Sequence, residues 1–239
     1  MTFEQTVPAT MHKYRILSGS WLKIIAMVTM LVDHVAHFLL RGQAEWMEPL
    51  FVVGDRQVSC YFLMRCIGRM AFPLFAFLIV EGFRHTHNRR AYGRNLLLFA
   101  LLSEVPWRLV HPAGHNVMFT LFFGFLGMWA IERFRSNRWC LSVVLLGLFA
   151  FTFLFRADYG GSGFAFILLL YVLHRHLLLQ AIIGGCMLPM KWVPGLAFIP
   201  IALYDGRRGF IRGTWAKYLF YAFYPLHLLL IWIELIVKS

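Results

Sequence analysis

Charge is scarce in this chain: 14% of its 239 residues are Asp, Glu, Lys or Arg, against roughly a quarter in soluble domains. That shortfall argues against a core wrapped in a charged, water-facing shell. Acidic residues are scarcest, 11 against 23 basic, and the net charge is +12. A surplus of that sign would suit nucleic acid, but most basic residues sit in short loops between apolar runs. This is the pattern of membrane orientation and anionic-lipid contact, and nucleic acid is not expected as a partner. The four cysteines, Cys60, Cys66, Cys140 and Cys186, form no C-x-x-C pair and no zinc spacing. They read as reduced packing residues, with a Cys60–Cys66 link left open. There is no G-x-G-x-x-G, internal repeat, low-complexity tract or second domain. No small-x-small cleavage site follows the first apolar run, so that run reads as a retained helix.

Apolar residues fill the space that charge leaves. They make up 60% of the chain, Phe alone occupies 24 positions, and the mean hydropathy is +0.66. Runs punctuated by Gly, Pro or basic clusters predict helices at 21–40, 61–83, 95–110, 117–133, 139–155, 161–173, 177–189, 192–204 and 218–236. The three between 161 and 204 are short, and would be tilted, broken or re-entrant inside a bundle. With the N-terminus in the cytoplasm, fifteen of the 23 Lys and Arg fall on inner segments. They include Lys13, Arg15 and Lys23, then Arg84 to Arg94, Arg133 to Arg138, Arg175, and Arg207 to Lys217. The expected fold is therefore all-α: a polytopic bundle of about nine transmembrane helices, N-terminus inside and C-terminus outside. Residues 1–20 form a polar cytoplasmic segment and 21–239 a single membrane domain. Trp192, Trp215 and Trp232 read as interfacial belt residues.

The first run carries Asp33, His34 and His37, all deep in the helix. Ionisable groups at such depth usually face a bundle interior or a wet cavity. Asp33 and His37, one turn apart, could also simply satisfy each other. Lys23 precedes His34 by eleven residues, and eleven steps of 100° return to within ~20° of the start, ~16 Å along the axis. One face thus carries a cation at the inner rim and an imidazole far within. Lys23 alone would be a snorkelling anchor. Paired with His34, it suits a ligand with a polyanionic head and a long reactive arm, the shape of an acyl-coenzyme A. His34 would then be the general base. Consecutive helix residues point ~100° apart, so a direct Asp33–His34 bond is not assured and Asp33 remains available to Arg69.

Other polar positions each carry two readings. Arg65, Arg69 and Pro73 fall on one helix face, with Arg69 either locking Asp33 across helices or working in a site. Asn116 and Thr120 lie one turn apart, Asn116 as an N-cap or as an oxyanion-type donor. The glycines after Asp158 and Tyr159 allow a tight turn or an anion seat. Arg207 and Arg208 either grip a phosphate or set topology. Tyr221, Tyr224 and His227 share the last run with Pro225, and His227, surrounded by leucines, is expected to face inward.

Lys23-x10-His34 resembles the Lys/Arg-x10-His signature of the acyltransferase-3 superfamily of membrane acyltransferases. Within it the chain resembles the TraX family, over nearly its whole length. The matching pieces are Lys23 to His34, GRMAFPLFAFLIVEGF at 68–83, RRAYGRNLL at 89–97, Asn116 with Thr120, DYG at 158–160, and KYLFYAFYPLHLLL at 217–230. The resemblance implies an acetyltransferase of the bacterial inner membrane, using acetyl-CoA as cosubstrate. No metal is expected, because His34 and His37 stand at i, i+3 where the familiar helical zinc pair is i, i+4. The acceptor that the resemblance implies is a pilin N-terminal amine, with a cell-surface glycan hydroxyl as the alternative. It places Arg69 in the acyl-transfer site, and Glu81 with Arg84, His85 and His87 near the donor's mouth. Against it stand a proton-coupled transporter using the Asp33, His34, His37 and Arg69 set, a zinc protein, and a purely structural assembly factor.

Overall fold

The first apolar run forms α1 (Gly19–His34) and passes directly into a π-helical stretch, Val35–Leu40. The computed structural model describes residues 15–188 and 193–238, so Lys13, Trp192 and most of the polar segment 1–20 lie outside the described residues. Gly19–Leu40, Cys60–His85 and Trp215–Lys238 are long and apolar enough to cross a bilayer. The described residues are overwhelmingly helical, as an all-α reading requires, with one departure. After a short α2 (Ala44–Met47) the chain makes an antiparallel hairpin, β1 (Pro49–Val53) with β2 (Arg56–Ser59). The β-branched and aromatic run Phe51 to Val53, closed by Gly54 at φ 59°, has the composition of a hairpin.

The expected helix 61–83 is two helices, α3 (Cys60–Gly68) and α4 (Ala71–His85). Pro73 explains the break. It has no N–H to give the Arg69 carbonyl, so the ladder lapses there and restarts with Leu74 N–H on the Met70 carbonyl at 3.3 Å. As the third residue of α4, Pro73 occupies a first turn where no N–H partner is needed.

α5 (Arg89–Val110) begins six residues ahead of the expected 95, because the Asn88 side chain caps it at Ala91 N–H, 2.9 Å away. α6 (Val117–Arg133), α7 (Arg138–Leu154), α8 (Gly160–Val172) and α9 (Leu177–Met187) follow close to their expected places. The expected helix 192–204 is instead a 3-10 turn, Val193–Ala197, leading into α10 (Phe198–Ala202). α11 (Thr214–Lys238) runs through Pro225.

α4 is the central element: nine of its 15 residues are buried, and α1, α6 and α8 pack on it. α7 buries only Thr152, so its apolar sides face outward, as lipid contact allows. α6 approaches α8 closely at Gly124, where an added Cβ would press on Ile167 at 2.5 Å. α5 lies between α6 and α11, and α11 also reaches α1 and the π-helical stretch. At one end of the bundle the 204–212 loop is tied to the start of α1. There Gly19 N–H donates to the Arg207 carbonyl at 2.8 Å, and Ser20 Oγ accepts from Ile211 N–H at 2.7 Å.

Candidate active site

Helical periodicity sets the site. Lys23, Met27, Met30 and His34 form one stripe on α1, and all four line internal cavities. The smaller cavity, about 240 Å³, lies beside Met27, Met30 and His34. α3, α4 and the break between them close it with Arg65, Phe72 and Arg69, α5 with Trp107, and α11 with Tyr224. His37, His111, Asp158 and Tyr159 complete its polar wall.

Asp33 is held from two sides. Its carboxylate accepts from Arg65 at 2.8 Å and from Arg69 at 3.1 Å, and Arg65 also reaches its backbone carbonyl at 3.3 Å. The packing that allows this is local to Gly68, where an added Cβ would fall on the Asp33 carboxylate. Asp33 is therefore bonded to neither His34 nor His37. His37 Nδ1 is buried without a hydrogen-bond partner among the described residues, as are Trp107 Nε1, His111 Nδ1 and Arg69 Nε. All four side chains line the same cavity. Buried polar groups are seldom left unpaired, so four on the side chains around one cavity are unmet hydrogen-bonding capacity in its wall.

His34 meets His227 across the bundle. His34 Nδ1 and His227 Nε2 are 2.7 Å apart, and the rings are nearly parallel at 5.0 Å between centroids. His227 Nδ1 lies 2.7 Å from the Phe223 carbonyl. Aromatic rings enclose the pair, with Tyr224 and Trp107 at 6.0 and 6.4 Å from the His34 ring. His34 lines the cavity and His227 stands behind it.

Asp158 and Tyr159 form the turn before α8. Tyr159 has φ 61°, a left-handed conformation uncommon for a residue with a Cβ, and its ring stacks on Phe72 at 4.0 Å. Thr120 donates its hydroxyl to the Asp158 carbonyl and so holds this turn. Burial pushes the Asp158 carboxyl above the ordinary aspartate range, opposed by the Tyr159 N–H and Arg69.

The larger cavity, about 660 Å³, opens at the end where the 204–212 loop meets α1. Lys23, Glu81, His85, Arg208 and Lys217 line it. The Lys23 ammonium stands 5.4 Å from the centre of the Phe220 ring. Glu81 pairs with His85 at 3.3 Å and accepts from the Tyr204 hydroxyl at 3.4 Å. Phe75, Ile79, Phe220 and Tyr221 line both cavities and form the collar between them.

Several expected site residues stand elsewhere. Arg84 and Arg207 line neither cavity. Asn116 is the N-cap of α6. Its oxygen accepts from Met118 N–H at 3.0 Å, and its amide donates to the Ala100 carbonyl and to Glu104 at 2.8 and 2.7 Å. That amide is fully used and lies outside the cavity. Trp107 and His111 were missed by sequence reasoning. Their i, i+4 spacing near the end of an apolar helix was the available signal, and the rings lie 4.9 Å apart.

Helices fit to cross a bilayer, folded around a largely apolar cavity with one polar wall, define a helical membrane protein with a candidate internal site. Residues 18–234 match the family described as TraX protein, and the chain belongs to that family. It is also similar to the probable fimbrial assembly protein FimC, serogroup H1, of Dichelobacter nodosus. The two are 26% identical over 249 residues, covering 90% of this chain and 94% of that protein. No solved structure matches the chain.

Proposed function

We propose that this protein is a multi-pass inner-membrane acetyltransferase that moves an acetyl group from acetyl-CoA to the N-terminal amine of a pilin subunit. One observation carries the reading: Lys23 and His34, on one stripe of α1, line two cavities that meet at a shared aromatic collar. The larger cavity has the basic lining that a phosphorylated donor head requires, in Lys23, Arg208 and Lys217. A pantetheine-like arm passing Phe75 and Tyr221 would bring its thioester to His34. A pilin acceptor agrees with the family and with the fimbrial name of the relative.

In the transfer, the acceptor amine attacks the thioester carbonyl and gives a proton to His34. The new N–C bond forms, the C–S bond breaks, and the departing thiolate takes that proton as free coenzyme A. General-base assistance of this kind contributes about 10²–10⁴-fold. Arg69, whose Nε has no bond partner among the described residues, is the donor nearest in kind to what a developing oxyanion needs. Asp33 keeps the two arginines in place.

The test is reconstitution of the full-length protein in nanodiscs with radiolabelled acetyl-CoA and purified pilin. Label should appear on the pilin N-terminus, and His34→Ala, assayed at a temperature where thermal unfolding shows it folded, should abolish it. Label on surface glycan alone would replace the acceptor assignment. Proton-linked solute flux without thioester cleavage would overturn the enzyme reading.

A further inference from the structure

The hydrogen bonds behind His34 determine which of its nitrogens carries a proton. A backbone carbonyl can only accept, so His227 Nδ1, 2.7 Å from the Phe223 carbonyl, must be the protonated nitrogen of that ring. A neutral His227 then has a bare Nε2, which can only accept. His34 Nδ1, 2.7 Å away, must therefore donate to it. A neutral His34 has one N–H and one lone pair, and the lone pair is left on Nε2. That nitrogen has no partner among the described residues, and the ring that carries it lines the smaller cavity.

We propose that His227 is a positioning residue that, through its bond to the Phe223 carbonyl, fixes His34 in the Nδ1–H tautomer and presents the bare Nε2 to the cavity. This deepens the acetyltransferase reading and rests on it for its consequence in catalysis. The arrangement serves the purpose that a carboxylate serves behind the histidine of a serine-protease triad, where orientation and tautomer are both set by the group at Nδ1. Here that group is a neutral ring. Asp33, the carboxylate next to His34 in sequence, is occupied by Arg65 and Arg69. The hydrogen bonds of the chain thus run one way, from His34 to His227 to a peptide carbonyl. When His34 accepts the amine proton, its Nδ1–H still donates to His227 and holds the imidazolium in line.

Two substitutions separate positioning from mere packing. His227→Gln keeps an acceptor, its amide oxygen, at the reach of the lost Nε2, and His227→Leu fills the space without one. The full-length protein in nanodiscs, ring-¹⁵N-labelled at histidine and with the His34 signal assigned by its loss in His34→Gln, gives a readout that needs no activity. We expect a single Nδ1–H tautomer for His34 in the parent and in His227→Gln, and a mixture in His227→Leu. In the acetyl-transfer assay, kcat should fall by about 10- to 100-fold in His227→Leu with KM for acetyl-CoA little changed, less than the ~10⁴ seen when a triad carboxylate is neutralised. His227→Gln should recover most of that loss. A parent protein with the His34 proton on Nε2 overturns the inference whatever the activity. If His227→Leu does not fold, a mixed tautomer in His227→Gln or in the parent overturns it equally. A parent with the expected tautomer but no acetyl transfer leaves this inference standing and removes the enzyme reading instead.

Discussion

Replacing Asp33 with asparagine keeps the shape of the side chain and removes the negative charge that pairs with both the Arg65 and Arg69 guanidiniums. Arg65 and Arg69 bond it at 2.8 and 3.1 Å, and the three side chains are only 14 to 17% exposed. At an effective dielectric near 20, unit charges ~4 Å apart attract by ~4 kcal/mol, and two such attractions converge on Asp33. The amide oxygen of asparagine retains part of this as hydrogen bonds. Breaking a buried ion pair by removing one partner costs about 3–5 kcal/mol, which is the loss expected for Asp33→Asn. At 2–4 °C per kcal/mol for a chain of this length, Tm should fall by roughly 6–20 °C. Thermal unfolding in detergent, followed by tryptophan fluorescence, measures it. The triple variant Asp33→Asn/Arg65→Gln/Arg69→Gln removes all three charges and should regain most of the lost stability, because a buried ion set replaced as a whole is often neutral to stability. It should still fail to transfer acetyl groups. An unchanged Tm for Asp33→Asn, or a triple variant no more stable than the single one, would refute the clamp as described.

Three further outcomes test the rest of the site. If Lys23 holds a donor phosphate as proposed, Lys23→Ala should raise KM for acetyl-CoA about tenfold with kcat nearly kept, a difference of ~1.4 kcal/mol; steady-state kinetics in nanodiscs decide it. Ile79→Trp crowds the collar and should leave coenzyme A binding, measured by calorimetry, near the parent value while acetyl transfer is lost. Asn116→Ala removes the α6 cap and the side-chain amide's bonds to the Ala100 carbonyl and to Glu104, whose oxygen keeps only the residue-116 backbone N–H. It should cost about 2–4 kcal/mol in unfolding experiments, with acetyl transfer per folded molecule kept; selective loss of turnover would return Asn116 to the site.

Much of this was legible in the residues because it depends on local repetition. The apolar runs predicted helices for most of the chain, and the N-cap reading of Asn116 fell where capping chemistry puts it. The stripe from Lys23 to His34 needed only the helical period, and α1 stays α-helical over that whole interval. The misses are equally physical. Pro73 did interrupt a helix, yet the run around it is so apolar that hydropathy conceals the break. The hairpin at 49–59 is too short to alter composition. The left-handed turn fell on Tyr159 as well as on its neighbouring glycine, and no residue preference would place it there.

The membrane character, the helical class and the face shared by Lys23 and His34 were determined by the amino-acid order alone, since hydropathy and a period of 3.6 residues need no distant partner. The tertiary structure decided what each polar group touches. Asp33 went to two arginines on the next helices, and the imidazole of His34 was given a partner 193 residues away. A lone pair is turned into a cavity only by bonds that arrive from other helices. Such bonds depend on which faces meet when the bundle closes, and no local pattern records that.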